Sequence, residues 1–306
     1  ETDNPGVKIF LERLEYYILG SIVDAERQKD SLLNDILKKL DIKSNELAGL
    51  SFFESIDNGT RNIDSQTVLR IDPIVPVQWR QGTPFNNNLT NPNCSDGKNS
   101  AGCVAVAVAQ ILYYWNYPTV TTNVINGSFI YWPWIHGFRR ASNFRVNRHD
   151  TQNDIRMKDR ARVQVANLFQ KIGAGVNMNY GCLGSSASMA NALSFLRNHG
   201  FTVPALSNYN LSIVTTSLVN NKRPIIAVGC SAESTGKKCH AWVIDGYHRI
   251  RVITTLAPGL SIPLYDNHYV HNNWGWNGSF DGFYLNNVFN PSELAFQNIE
   301  VAPVYR

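Results

Sequence analysis

From Gly102 to Pro118 the chain reads GCVAVAVAQILYYWNYP without one charged side chain. That run is too long for an ordinary strand, and the Gly before it and the Pro after it are helix-boundary residues. Small apolar side chains on every face suit a helix buried all round, and the pattern predicts one from about Cys103 to Trp115. Such a helix needs a core on all its sides. At 306 residues, with 43% hydrophobic and 17% charged side chains, the chain has enough material to supply it.

The rest of the sequence arranges itself around that element. Residues 1 to about 48 show helical spacing, for example Ile9-Phe10, Leu14, Tyr17-Ile18 and Ile22. Periodicity is lost from 49 to 72, and a boundary is expected between residues 65 and 72. Further helices are expected from Asp154 to Ile172 and from Ser186 to Asn198. Beyond Phe201 short β-like runs take over: 224–228, 241–244, 251–253 and 282–285, each bounded by Gly, Pro, Asn or Asp. Helices in the middle and strands at the end argue for α+β, not for alternating α/β.

Several function classes are disfavoured. A net charge of +4 with no run of five basic residues gives no phosphate-tracking surface, so no nucleic-acid partner is expected. No stretch approaches the ~18 apolar residues of a membrane span. Neither Cys-X-X-Cys nor His-X-X-X-His is present, so no metal is expected, and no organic cofactor. The opening ETDNPGVKIF has no apolar leader and no initiator Met, and the expectation is a chain already processed at that end.

The candidate chemistry begins at Cys103. A cysteine in the first turn of a helix faces unpaired amide N–H groups and the positive end of the dipole, which together favour thiolate, with pKa values of about 3.5–7.5 in such sites. Gly102 lets the chain turn tightly and brings backbone N–H groups close to a substrate carbonyl. On the local sequence a buried structural cysteine fits as well. His240, which opens the strand-like run HAWVIDGY, shifts that balance. It lies downstream of Cys103 within the interval of about 130–150 residues seen in papain-type enzymes. In HNNWGWNGSFDGFY, from His271 to Tyr284, the carboxamide of Asn273 is placed to hold one imidazole nitrogen, with Trp274 or Trp276 covering the bond. Gln81, in VQWRQGTPFN, offers a side-chain amide for an oxyanion. The histidines 136, 149, 199, 248 and 268 sit in polar loops or at helix ends and read as surface residues.

With these blocks in place the chain resembles the streptopain family of bacterial cysteine peptidases, family C10. The matching strings are QGTPFN, GCVAVAVAQILYYWNYP, MNYGCLGSSAS, HAWVIDG and NWGWNGSFDGFY, in the family's order and spacing. The resemblance implies a papain-like fold of two subdomains, a central helix carrying the nucleophile and an antiparallel sheet carrying the histidine. It implies Cys103 as nucleophile, His240 as base, Gln81 in the oxyanion hole, and Asn273 with Trp274 behind the histidine. Ser186 and Cys239, with Gly184 and Gly102, fall where the family lines its substrate cleft. It further implies protein or peptide substrates and export to the outside, surface or periplasm of a bacterium. A monomer made with an inhibitory propeptide is expected, with an inhibitor protein as a further partner.

Two features depart from the family pattern. Cys239 stands where the family has Gly, and five cysteines replace the single one. A Cys230–Cys239 bridge would close a short loop beside the cleft, and Cys94 and Cys182 could pair across its entrance. FLERLEYYI resembles the end of the family's propeptide, so residues 1–70 are expected to be a propeptide remnant and 71–306 the catalytic domain. Two alternatives remain at this point: a transglutaminase-like acyltransferase or amidase, and a catalytically silent binding domain.

Overall fold

The computed structural model describes residues 62–116, 119–233, 236–257, 260–289, 291 and 296–306. The helices expected within residues 1–48 lie outside these. Contacts divide the chain into two compact units: residues 69–248 with 268–306, and residues 1–68 with 249–267. The candidate site belongs to the first.

Helix α1 (Cys103–Asn116) forms as expected and is enclosed along nearly its whole length, from Val104 to Tyr113 and again at Asn116. Its polar members are used: Gln110 Oε1 accepts the Trp79 N–H at 3.1 Å, and Asn116 returns an N–H to Leu112 at 2.8 Å. Helix α2 (Gln152–Gly175) starts two residues earlier than expected because Thr151 and Asp154 cap it reciprocally, a capping box worth about 1 kcal/mol, and it runs three residues further at its end. Helix α3 (Met189–Asn198) starts three residues later than expected. Ser188 takes the cap, accepting from Asn191 N at 3.1 Å, and Ser186 is instead bridged to Asn179. A short helix, α4 (Leu211–Thr215), precedes the main strands.

The sheet contains β1 (Asn62–Ile71), β4 (Ser207–Asn208), β5 (Ile225–Glu233), β6 (Gly236–Ala257), β7 (Leu260–Asn273), β8 (Gly282–Leu285) and β9 (Gln297–Pro303), in the order β4-β9-β5-β6-β7-β8 with β1 against β6. The boundary expected between 65 and 72 lies within β1, and the chain divides into its compact units between residues 68 and 69. A separate hairpin, β2 (Thr122–Ile125) with β3 (Ser128–Tyr131), was not expected. The β5–β6 pairing is antiparallel, with Ala227 opposite Trp242 and Gly229 opposite His240.

Strand alternation sorts the side chains into two cores. Ile226, Ala241 and Val243 join the core around α1, α2 and α3, which also holds Trp79, Phe85, Tyr113 and Phe169. Ile225, Ala227, Trp242 and Ile244 face a second core with Val270, Trp274, Phe289 and Val301. A sheet covered on both faces needs apolar residues at consecutive positions, which is why PIIAV and AWVI read as unbroken runs. Each aliphatic side chain so buried contributes about 1.5–3 kcal/mol.

Both suggested disulfides are present, Cys94–Cys182 and Cys230–Cys239. The first closes 88 residues and the second 9, so loop-closure entropy favours the first, at roughly 4–5 against 2–3 kcal/mol.

Candidate active site

Cys103 is the first residue of α1 and the one free thiol among the five cysteines. Gly102 before it has φ +87°, a conformation side chains avoid, and a Cβ there would lie 2.9 Å from Met178 and 3.1 Å from the Ser185 carbonyl oxygen. The turn into the helix therefore requires glycine twice over, for its backbone angle and for space.

His240 lies on β6, and the N–H of the next residue, Ala241, is among the groups that pull the Cys103 thiol down. The histidine's strand is thereby set against the start of α1. His240 is only 7% exposed. Its ring is walled by Trp276 at 4.7 Å between centroids, Phe296 at 5.7 Å and Trp242 and Trp274 at 6.2 Å. Nε2 lies 2.8 Å from the main-chain carbonyl of Trp274. A carbonyl only accepts, so Nε2 carries the hydrogen and Nδ1 is left with its lone pair.

This differs from the expectation for Asn273. Its Nδ2 donates to the Val77 carbonyl at 2.8 Å, and its Oδ1 accepts the Gly275 N–H at 3.3 Å. Both ends of the carboxamide are occupied in joining the 77 and 275 segments, and the residue is buried. The backbone of Trp274 takes the part expected of the Asn273 side chain, while the Trp274 indole packs in the second core.

Burial dominates the titration of both groups. It pushes the Cys103 thiol up, against the N–H groups of Ala241, Val104 and Cys103 itself, which pull it down. It pushes His240 down to about 4, against the Trp274 carbonyl. For each group burial thus works against the charged form, opposing the thiolate that the helix start favours. The helix start does favour thiolate, but desolvation outweighs it.

Gln81 sits in the loop ahead of α1. Its carbonyl accepts the Ala101 N–H at 2.9 Å and its Oε1 accepts from Ser100 Oγ at 3.0 Å. With Oε1 taken, the amide orientation is fixed and Nε2 remains the donor. Across from this loop, Ser185 Oγ accepts from Gly181 N at 3.0 Å and donates to Ser100 O at 2.6 Å, while Ser100 N donates to Gly181 O at 2.9 Å. The Cys94–Cys182 bridge pins the same loop. Ser186, expected in the cleft wall, spends both main-chain groups on Asn179. Gly184 is exposed and keeps its N–H and C=O unpaired among the described residues. Cys239 is held in its bridge to Cys230 and is no rival nucleophile.

Two features escaped sequence reasoning. Asp245 and His271 form a buried pair, Oδ1 to Nδ1 2.6 Å, and Asp245 Oδ2 also accepts the Val75 N–H at 3.3 Å. Asp281 accepts the Trp274 N–H at 2.8 Å. The string around Asp281 was in view, but nothing in its spacing says what the carboxylate touches.

The profile of the Peptidase C10 family matches residues 79–284, which include Gln81, Cys103, His240 and Asn273. The chain belongs to that family. Streptopain of Streptococcus pyogenes is 25% identical over 261 residues, covering 77% of this chain and 60% of the relative. The chain thus spans 60% of the length of the streptopains that it matches. The thiol protease/hemagglutinin PrtT of Porphyromonas gingivalis is 24% identical over 237 residues, 72% of this chain and 24% of PrtT. Among solved structures, active interpain A cysteine protease of Prevotella intermedia matches with a TM-score of 0.52 at 25% identity, covering 78% of this chain and 95% of that one. The α+β arrangement described above is that of a papain-like C10 peptidase. No helix among the described residues is long and apolar enough to cross a membrane.

Proposed function

We propose that this C10 chain is an exported cysteine endopeptidase that cleaves protein or peptide bonds through Cys103 and His240. The observation that carries the reading is the arrangement at His240: Nε2 is held by the Trp274 carbonyl and Nδ1 keeps its lone pair, on the strand whose Ala241 N–H acts on the Cys103 thiol.

The neutral pair defines the order of events. Thiol and imidazole wait uncharged; the proton passes from sulfur to Nδ1 as sulfur attacks the scissile carbonyl. The new negative charge develops on the carbonyl oxygen, where the Cys103 N–H and Gln81 Nε2 serve as donors, a contribution of about 3–4 kcal/mol for each good donor. His240, now cationic and balanced by the Trp274 carbonyl, returns the proton to the leaving amine. Water activated by Nδ1 then hydrolyses the thioester. No step calls on a metal or organic cofactor.

Two disulfides favour an oxidising compartment, in line with export. We place residues 1–70 as a propeptide remnant, removed by a cut between about Ser65 and Asp72, and residues 71–306 as the catalytic domain of a monomer.

The test is intact-mass labelling by an epoxysuccinyl cysteine-peptidase probe on the parent and on Cys103→Ala, followed by hydrolysis of a fluorogenic peptide. One adduct on the parent, none on the variant, and peptide cleavage are expected. A parent that stays unlabelled after trimming near residue 70 would overturn the reading. Predominant transfer to an added amine in place of water would make it an acyltransferase.

A further inference from the structure

Trp274 is gripped on both sides of its α-carbon. Its carbonyl takes the His240 Nε2 hydrogen at 2.8 Å, and its N–H goes to Asp281 Oδ1, also at 2.8 Å. The carboxylate reaches back because the intervening chain folds on itself. Gly275 (φ 73°), Asn277 (61°), Gly278 (86°) and Phe280 (62°) all take the left-handed conformation. The two glycines adopt it freely, whereas Asn277 and above all Phe280 do so at a cost.

The placement of the carboxyl is unusual for a turn residue. Asp281 Oδ2 is out of water with no hydrogen-bond partner among the described residues, a burial that costs about 1–3 kcal/mol or more for a charged group. The Gln78 side chain approaches the same carboxyl, and Arg140 Nε in turn donates to Gln78 Oε1. Gly278 makes room for this contact, since a Cβ there would stand 2.8 Å from Gln78 Oε1. A solvent-facing Asp would cap the turn equally well; an enclosed one is a firmer, less screened acceptor.

We propose that Asp281 is a positioning residue of the catalytic site, holding the Trp274 main chain so that its carbonyl fixes the tautomer and orientation of His240. The inference rests on the reading of His240 as the base.

The carboxylate form is the better acceptor for the Trp274 N–H. Burial raises Asp281 to about 7, with Asp245 on β6 adding to the rise, while the Trp274 N–H, His271 on β7 and Gln78 oppose it. Protonation as pH falls through about 7 therefore loosens Trp274. His240 itself, lowered to about 4, titrates well below. The parent should show an acid limb in kcat near pH 7 that belongs to Asp281.

The experiment compares parent, Asp281→Ala and Asp281→Asn in peptide hydrolysis from pH 4.5 to 9. Asp281→Ala should lose tenfold or more in kcat with KM little changed. Asp281→Asn, which keeps an acceptor for Trp274, should recover part of that loss and lack the limb near 7. An Asp281→Ala rate equal to the parent's, or a limb that survives in Asp281→Asn, would overturn the inference. Should Asp281→Ala fail to fold, the Asp281→Asn profile decides alone. A parent that hydrolyses nothing would count against the peptidase reading instead; the positioning role is then read from the His240 imidazole ¹⁵N shifts, which must differ between parent and Asp281→Asn across pH 6–8. Identical shifts would end it.

Discussion

The imidazole of His240 is fixed by the main-chain carbonyl of Trp274, 2.8 Å from Nε2, and not by the neighbouring carboxamide of Asn273. A side-chain amide can flip and present a donor where an acceptor is needed; a peptide carbonyl in a closed turn has no such freedom. The tautomer with Nδ1 free is thus built into the chain path through residue 274.

Asn273 should accordingly behave as a structural residue. Asn273→Ala removes the buried bonds to Val77 and Gly275, and a loss of about 2–4 kcal/mol in unfolding free energy is expected by urea denaturation. The surviving folded enzyme should keep its pH profile and lose less than about tenfold in kcat. Loss of the tautomer-setting group in a catalytic triad costs about 10⁴-fold. A drop on that scale in folded Asn273→Ala would show that the carboxamide, after all, governs His240.

The burial of Cys103 and His240 makes a prediction for thiol reactivity. Burial holds Cys103 above the ordinary thiol range and His240 near 4, so little thiolate should exist at pH 6. Iodoacetamide alkylation of Cys103 in the free protein should rise through the alkaline range. A plateau of reactivity reaching from pH 5 to 8 would instead mean a standing thiolate–imidazolium pair.

How far the sequence reveals all this depends on whether the relevant information is carried by side-chain type. Helix α1 was legible because an uncharged run flanked by Gly and Pro has few other fates, and β5 and the 241–244 part of β6 because a doubly covered sheet needs consecutive apolar residues; β1, β4, β7 and β9 were not expected. The β2–β3 hairpin was missed although Asn126 and Gly127 both take positive φ in its turn, since Val124 and Phe129 point outward and blur the alternation. The proposed nucleophile and base, Cys103 and His240, stood out by type and spacing. Their partners did not: a backbone carbonyl has no letter in the sequence, and the links from Asp281 to Trp274 and from Asp245 to His271 exist only once distant strands pair. Desolvation of Cys103 is likewise set by what covers it, which the helix position alone leaves open.

His240 also leaves a mark on stability. Its pKa falls from an unfolded value of about 6.5 to about 4 on folding, so the unfolded chain binds the extra proton between those values. Its contribution is complete above pH 6.5 and disappears as pH falls through 4, roughly 3 kcal/mol in all. Asp281, raised to about 7, acts with the opposite sign between pH 4 and 7, so the parent's own curve should be flatter than either group implies. The difference between parent and His240→Gln isolates the histidine. By urea denaturation that difference should shift about 3 kcal/mol in the parent's favour from pH 4 to 6.5. A constant difference would place the imidazole in water.

Gly102 offers the sharpest steric test, because two different obstacles stand where its Cβ would be. The Met178 side chain, at 2.9 Å, is flexible and can be cut back; the Ser185 carbonyl, at 3.1 Å, belongs to a loop tied to Ser100 and pinned by the Cys94–Cys182 bridge. Gly102→Ala also faces the left-handed backbone penalty of about 1–2 kcal/mol. Gly102→Ala should therefore lose most labelling of Cys103 by the epoxysuccinyl probe and melt at lower temperature. Adding Met178→Ala should restore part of the melting temperature, since one clash is gone, but little of the labelling, since the φ angle and the Ser185 carbonyl still displace the first turn of α1. Full recovery of labelling in the double variant would mean that side-chain crowding alone, and not the backbone at 102, sets the position of the nucleophile.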